Sequence, residues 1–276
     1  MKNFITKKLI KNPNNGFLCE LLVNFVYKKA VKPSDIVIDG GANVGVHTHN
    51  LINLVGEDGK CYAIEALPFL SENLRNDYGH IRQCQVVNLA LSNEKGKASF
   101  THVINDNSYS GLIERPKLNN IFENPQTEKI EVETDLLDNI VPDFEKERVK
   151  FVKFDLEGGE YRAFQGSIET LKLGRPLIIF EQGYHSVAEM YGYTEHDFFS
   201  FFNGLNYNIY TLLGIPVKSW ELKNYLWYNI GIPKEKISNN IYIKHFLAID
   251  FISKEHDVFF GSSKQLNNDL WQKLWL

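Results

Sequence analysis

Short apolar runs occupy residues 35–39, 60–65, 85–88, 149–155, 177–181 and 207–212, and most are separated by segments whose apolar positions recur every three or four residues. The runs are nearly continuous rather than alternating, the pattern of strands covered by helices on both faces. Strands alternating with helices pair in parallel through right-handed crossovers, so the pattern predicts a doubly wound α/β sheet. Ahead of it, Leu18, Leu21, Leu22, Phe25 and Val26 fall on one face of a helix spanning residues 17–30. That spacing predicts a leader helix covering one flank of the core.

The crossover after Leu91 is long. Residues 97–103 and 129–134 read as an antiparallel excursion, and the polar loop 105–111, rich in Asn, Ser and Gly, is either flexible or part of a site. A stretch from 214 to 244, holding Trp220, Tyr225, Trp227 and Tyr228, precedes a further apolar run at 245–250. With no internal repeat or low-complexity linker, the expected organisation is a helical leader over 1–33 and one domain over 34–276. Residues 214–244 then form an insertion before the last strand, expected to carry substrate specificity. Its aromatics suit stacking on a sugar, a lid, or plain packing against the sheet.

A chain of 276 residues suffices for one large α/β domain. Its 43% hydrophobic and 23% charged residues are ordinary for a globular protein. A formal charge of −4 supplies no basic field for the phosphate backbone, so nucleic acid is not an expected partner. Lys2, Lys7, Lys8 and Lys11 read as a solvated face. Cys19, Cys61 and Cys84 form no CxxC pair and read as reduced core residues. No apolar run approaches the ~20 residues of a membrane helix or resembles a signal peptide, so a cytoplasmic location without membrane contact is expected.

Asp39 closes the first strand run, and Gly40-Gly41-Ala42-Asn43-Val44-Gly45 follows at once, opening a helix with Val44, His47, Leu51 and Leu54 on one face. Glycines at such a turn let a ligand approach the backbone, and free N–H groups at the helix start attract a carboxylate or a phosphate. The dinucleotide fingerprint GxGxxG needs glycine at its third place, where this turn supplies Ala42 or Asn43. An NAD-dependent dehydrogenase is therefore the weaker reading. Asp39 sets a negative charge beside the turn, which disfavours a pyrophosphate and suits a ligand with an ammonium and a sulfonium, as in S-adenosylmethionine. Glu65, 20 residues after Gly45, ends the second run where a carboxylate can accept from both ribose hydroxyls. Alone, Asp39 could cap a helix and Glu65 could be solvated; together they imply adenosine.

Asp155 ends the fourth run at the sheet edge where doubly wound folds bind ligands. Glu157 and Glu160 follow it around Gly158-Gly159, and Glu181 and His185 stand at the end of the fifth run. Methyl transfer depends largely on orienting the acceptor, but a weakly nucleophilic hydroxyl benefits from a base. Asp155, Glu157, Glu181 and His185 are the catalytic candidates; helix capping by the glutamates and a hydrogen-bonded loop histidine are the structural alternatives. A divalent Mg²⁺ or Ca²⁺ site at Asp155, Glu157 and Glu181 competes with metal-free base catalysis. Because no dense ligand run exists, no metal is predicted. His47 and His49, two apart, do not share a helix face and are not a metal pair.

In order, Asp39-x-Gly41-Ala42-Asn43-x-Gly45, Glu65 with Pro68, the segment Lys153-Phe154-Asp155-Leu156-Glu157-Gly158-Gly159-Glu160, and Pro176-Leu177-Ile178-Ile179-Phe180-Glu181 make the chain resemble the FkbM methyltransferases over about residues 36–182. The resemblance implies a seven-stranded Rossmann-like class I methyltransferase sheet of order 3-2-1-4-5-7-6 with the last strand antiparallel, 207–212 being the sixth strand and 245–250 the seventh. It implies methyl transfer from S-adenosylmethionine to oxygen, with a sugar, glycan or other hydroxylated small molecule as acceptor. The cofactor residues would be Asp39, Gly40, Gly41, Asn43, Gly45, Glu65, Ala66, Asn88, Leu89 and Asp155. Of these, Asp39, Gly41, Asn43 and Gly45 would hold the methionine end, Glu65 the ribose, and 88–90 the adenine. A cofactor-binding module without catalysis is the alternative from another functional class.

Overall fold

The computed structural model describes residues 15–115, 118, 121–182, 184–212, 214–220 and 227–237. Each of the apolar runs at 35–39, 60–65, 85–88, 149–155, 177–181 and 207–212 becomes a strand within a residue of its expected limits. Helix α1 (Asn15–Ala30) leads into β1 (Ile36–Gly40), α2 (Val46–Val55), β2 (Lys60–Glu65), α3 (Pro68–Tyr78) and β3 (Cys84–Asn88). The long crossover holds β4 (Ala90–Leu91), β5 (Gly96–Val103) and β6 (Thr127–Asp135), followed by the single-turn helices α4 (Leu137–Ile140) and α5 (Asp143–Lys146). Then come β7 (Val149–Phe154), α6 (Glu160–Gln165), α7 (Ile168–Gly174), β8 (Leu177–Glu181), α8 (Tyr184–Tyr191), α9 (Glu195–Gly204), β9 (Tyr207–Thr211), β10 (Tyr228–Pro233) and α10 (Lys234–Ile237).

Seven strands form one sheet in the order β3-β2-β1-β7-β8-β10-β9, and β4, β6 and β5 form a small second sheet. The pairs from β3 to β8 are parallel, and β10 runs antiparallel to both β8 and β9. This is the expected class I methyltransferase order. The antiparallel strand is, however, Tyr228–Pro233, inside the stretch read from sequence as an insertion, and not residues 245–250, which lie outside the described residues. Gly231 and Pro233 weaken the strand signal of this segment. Full burial along β10 also removes any apolar–polar alternation.

Because a strand's side chains alternate between faces, the sheet divides the core in two. On one side Leu22, Val26 and Tyr27 of α1 and Leu51 and Val55 of α2 cover Val37 and Phe151; on the other, Phe164, Phe198 and Phe202 cover Phe154 and Phe180. Trp220 is buried against Phe198 and Tyr193, which makes it a packing residue; Trp227 is half exposed, and Tyr225 lies outside the described residues. All three cysteines are free, and burial pushes the Cys19 thiol up to about 12. Among the described residues no helix is long and apolar enough to cross a membrane.

Phe164 sits at the centre of the second core, its ring 5.2 Å from Phe154, 5.1 Å from Phe180 and 5.0 Å from Phe202. Phe164→Ala is expected to lower unfolding stability by about 3–5 kcal/mol, through lost burial plus the cavity left behind, as read by urea denaturation.

Candidate functional site

The carboxyl ends of β1, β2 and β7 meet at the glycine turn. Gly41 and Ala42 donate their N–H groups to Ile64 O at 2.9 and 3.1 Å, and Asp155 N–H donates to Gly40 O at 3.1 Å. Gly41 has φ +74, and a Cβ there would lie 1.9 Å from Asp155 O, so only glycine lets the turn lie against the end of β7. Asn43 is also left-handed, at φ 49, a conformation asparagine tolerates better than most residues. That bend aims Asn43 N–H at Glu65 Oε2, at 2.8 Å, while Leu67 N–H donates to Oε1 at 2.8 Å. Glu65 is thus pinned with one backbone donor on each oxygen, leaving lone pairs for a ligand.

Glu65 lies in the wall of a cleft of about 690 Å³, open at its mouth. Gly41, Asn43, Ala66, Leu89 and Ala90 line it as expected, and Leu70, Phe100 and Leu112 add apolar surface from α3 and the excursion. Asp155 and Glu157 close the other end. Asn88 does not line the cleft; its amide donates to the carbonyls of Glu65 and Ala66 at 2.9 and 3.0 Å and so braces the wall. Gly40 and Gly45 are likewise backbone elements, Gly45 packing under Leu74 and Tyr78. A second cleft continues past Gly41, Asn43, Ser108 and Asp155 toward α1, lined there by Glu20, Asn24, Tyr27, His47 and Asn50.

Beneath the junction lies Lys153, whose side chain is 1% exposed. Its Nζ is 3.1 Å from Asp155 Oδ2 and 3.9 Å from Asp39 Oδ1. Thr48 Oγ1 donates to the other Asp39 oxygen at 2.6 Å, and the Tyr228 hydroxyl on β10 donates to Asp155 at 2.6 Å. The lysine and these donors hold the Asp155 carboxyl below its usual range despite burial. Asp39 itself is fully buried and lines neither cleft, so it acts through Lys153 and Thr48.

The remaining acids behave differently. Asp155, Glu157 and Glu181 bring carboxylate oxygens within 4.8 Å of one another, and the Arg115 guanidinium reaches into the group, pairing with Glu157 and lying 3.2 Å from Glu181. Burial first, then mutual repulsion, raises Glu157 well above the usual range, Glu181 to about 7 and Glu160 to about 8. Glu160 accepts from Leu156 N–H at 2.7 Å and so braces the turn ahead of α6 rather than capping the helix, the role the sequence suggested. His185 is not brought to this group. Its side chain is 71% exposed, its ring lies 4.9 Å from Trp220, and the nearest acid partner is Glu195 at 4.0 Å.

Sequence reasoning missed Lys153, Arg115, Tyr228, Glu20 and His47 as site residues. Lysine at the centre of an apolar run was a readable signal for the first. Arg115 and Tyr228 had none, because the tertiary fold brings them in from a loop and an unrecognised strand.

Lys153→Met should cost about 3–5 kcal/mol in denaturant unfolding, since it leaves two buried carboxylates without their cation, and adding Asp155→Asn should recover part of the loss. Glu160, about 8 in the folded chain against an ordinary 4.5, binds its proton more tightly when folded. Its contribution to stability is therefore full below about pH 4.5 and lost as pH rises through about 8. Glu160→Gln should flatten that fall in stability, measured by denaturation across the interval.

Residues 39–208 match the Methyltransferase FkbM domain. Comparison with curated proteins gives no match. Among solved structures, the chain is similar to a methyltransferase FkbM from Methylobacillus flagellatus KT, with 15% identity, a TM-score of 0.44, and coverage of 74% of this chain and 48% of that one. A SAM dependent methyltransferase from Aquifex aeolicus gives 15% identity and a TM-score of 0.34 over 82% of this chain and 95% of that one. A SAM-dependent O-methyltransferase from Thermotoga maritima gives 15% and 0.38 over 79% and 63%. The chain spans about half the length of the Methylobacillus protein. With its matched region running from the aspartate of the glycine turn into β9, this chain belongs to the FkbM methyltransferase family.

Proposed function

We propose that the chain transfers a methyl group from S-adenosylmethionine to a hydroxyl oxygen of a sugar, glycan or other hydroxylated small molecule. The observation that carries this reading is that one cleft holds both the pinned Glu65 with its apolar wall and the acidic pair Asp155 and Glu157. Such a cleft fits an adenosine whose ribose meets Glu65 and whose base lies among Leu70, Leu89 and Phe100. S-adenosylmethionine supplies a methyl on a positively charged sulfur, and Asp155, kept ionised by Lys153, is a fixed anion suited to that charge.

Asp155 is then an electrostatic residue more than a base. The base is Glu181, raised to about 7 by burial and by the neighbouring acids, which can take a hydroxyl proton beside the likewise raised Glu157. Arg115 fixes the pair's geometry. The apolar wall and absence of glycine at position 43 disfavour the dehydrogenase reading.

Calorimetry should show S-adenosylhomocysteine binding, weakened about tenfold or more by Glu65→Ala; no binding to the native chain sinks the proposal. Asp155→Asn should impair turnover more than binding. Turnover should rise with pH through about 7, as Glu181 loses its proton, and Glu181→Gln should remove that rise. Complete loss of turnover in EDTA with rescue by Mg²⁺ would replace the carboxylate base with a metal.

A further inference from the structure

The family match begins at residue 39, yet the second cleft is walled by a helix that lies wholly before it. From α1, Glu20, Asn24 and Tyr27 face His47 and Asn50 of α2 across this cleft. Glu20 Oε2 is 2.8 Å from His47 Nε2, and Glu20 Oε1 is 3.2 Å from the Tyr228 hydroxyl that also reaches Asp155. One linked set of groups therefore runs from α1 to the acid at the end of β7.

One buried polar atom at this cleft, His47 Nδ1, has no hydrogen-bond partner. A buried ring nitrogen left unmet beside an open cavity calls for a polar partner from outside the chain. The cleft carries both signs of complementarity. Glu20 and Asp155 are anions suited to an ammonium, whereas the asparagine amides, the Tyr27 hydroxyl and the start of α2 at Val46 offer donors to a carboxylate. A ligand end with an ammonium and a carboxylate on one carbon matches that set.

We propose that α1 forms the far wall of the donor's amino-acid subsite, with Glu20 as the ammonium partner, and His47, held by Glu20, as a second contact. This inference rests on the donor reading given under Proposed function. It makes a segment outside the family's matched region a specificity element, one that rewards a zwitterionic tail over a plain adenosine thioether.

The test compares two ligands by calorimetry: S-adenosylhomocysteine, which carries the amino-acid end, and 5′-methylthioadenosine, which keeps the adenosine and sulfur but lacks it. Glu20→Gln and, separately, His47→Gln are expected to weaken S-adenosylhomocysteine about tenfold or more while leaving 5′-methylthioadenosine within about twofold of the native value. His47→Gln serves as the arm should Glu20→Gln fail to fold. If both ligands bind the native chain and the variants weaken neither, or both alike, the assignment of α1 is overturned while the donor reading stands. If neither ligand binds the native chain, the donor reading falls and this inference with it.

Discussion

A lysine with almost no solvent contact sits where three strands' worth of function converges. Lys153 pairs in register with Asp39 across β1 and β7, and points its ammonium between Asp39 and Asp155. An isolated ammonium there would be costly to bury, and the two flanking aspartates offset that cost. Everything at the cleft inherits this constraint. Gly40 and Gly41 lie against the backbone of Asp155, Thr48 anchors the first turn of α2 to Asp39, and Tyr228 ties the last strand to the same carboxylate.

The lysine also sorts the acids. Asp155 sits next to it and is held ionised, while Glu157, Glu160 and Glu181, farther out, are raised by burial and by one another. Neighbouring carboxyls thereby acquire opposite tendencies, Asp155 to stay charged and Glu160 and Glu181 to exchange a proton near neutrality. Arg115 sits among the outer acids and moderates their repulsion, and Glu157 holds a left-handed backbone position, φ 54, at the cleft wall.

What could be read in the sequence was what depends on local periodicity and on spacing within one strand–turn–helix unit. The continuous apolar runs located β1, β2, β3, β7, β8 and β9, and Asp39 to Gly45 with Glu65 located one cleft, because the residues that make it are contributed by adjacent strands. β10 escaped because its Gly231 and Pro233 weaken the strand signal while its pairing partners, Phe180 and Tyr210 among them, lie far away in the chain. Arg115 and Glu20 escaped for a related reason: a surface-loop arginine and a helix glutamate carry no local mark of a buried partner. His185 illustrates the converse, since nearness in sequence to Glu181 did not translate into nearness in space once α8 turned its side chain outward.

Acceptor recognition was expected in the stretch after β9, but the described part of that stretch supplies Trp220 to the core and β10 to the sheet. The excursion between β4 and β6 is better placed. Ser108 lines both clefts, Ser110, Leu112 and Phe100 line the first, and Arg115 leaves the same loop to meet Glu157 and Glu181. A reaction limited mainly by alignment gains most from whatever fixes the acceptor against the donor, and this loop touches the first cleft's wall, the junction of the two clefts and the acidic pair. Its tip is held by Asp106, which accepts from Ser108 N–H at 3.0 Å, and by the Ser110 hydroxyl, which accepts from Val103 N–H at 2.9 Å. Polar side chains set on so short and braced a turn are positioned before any ligand arrives.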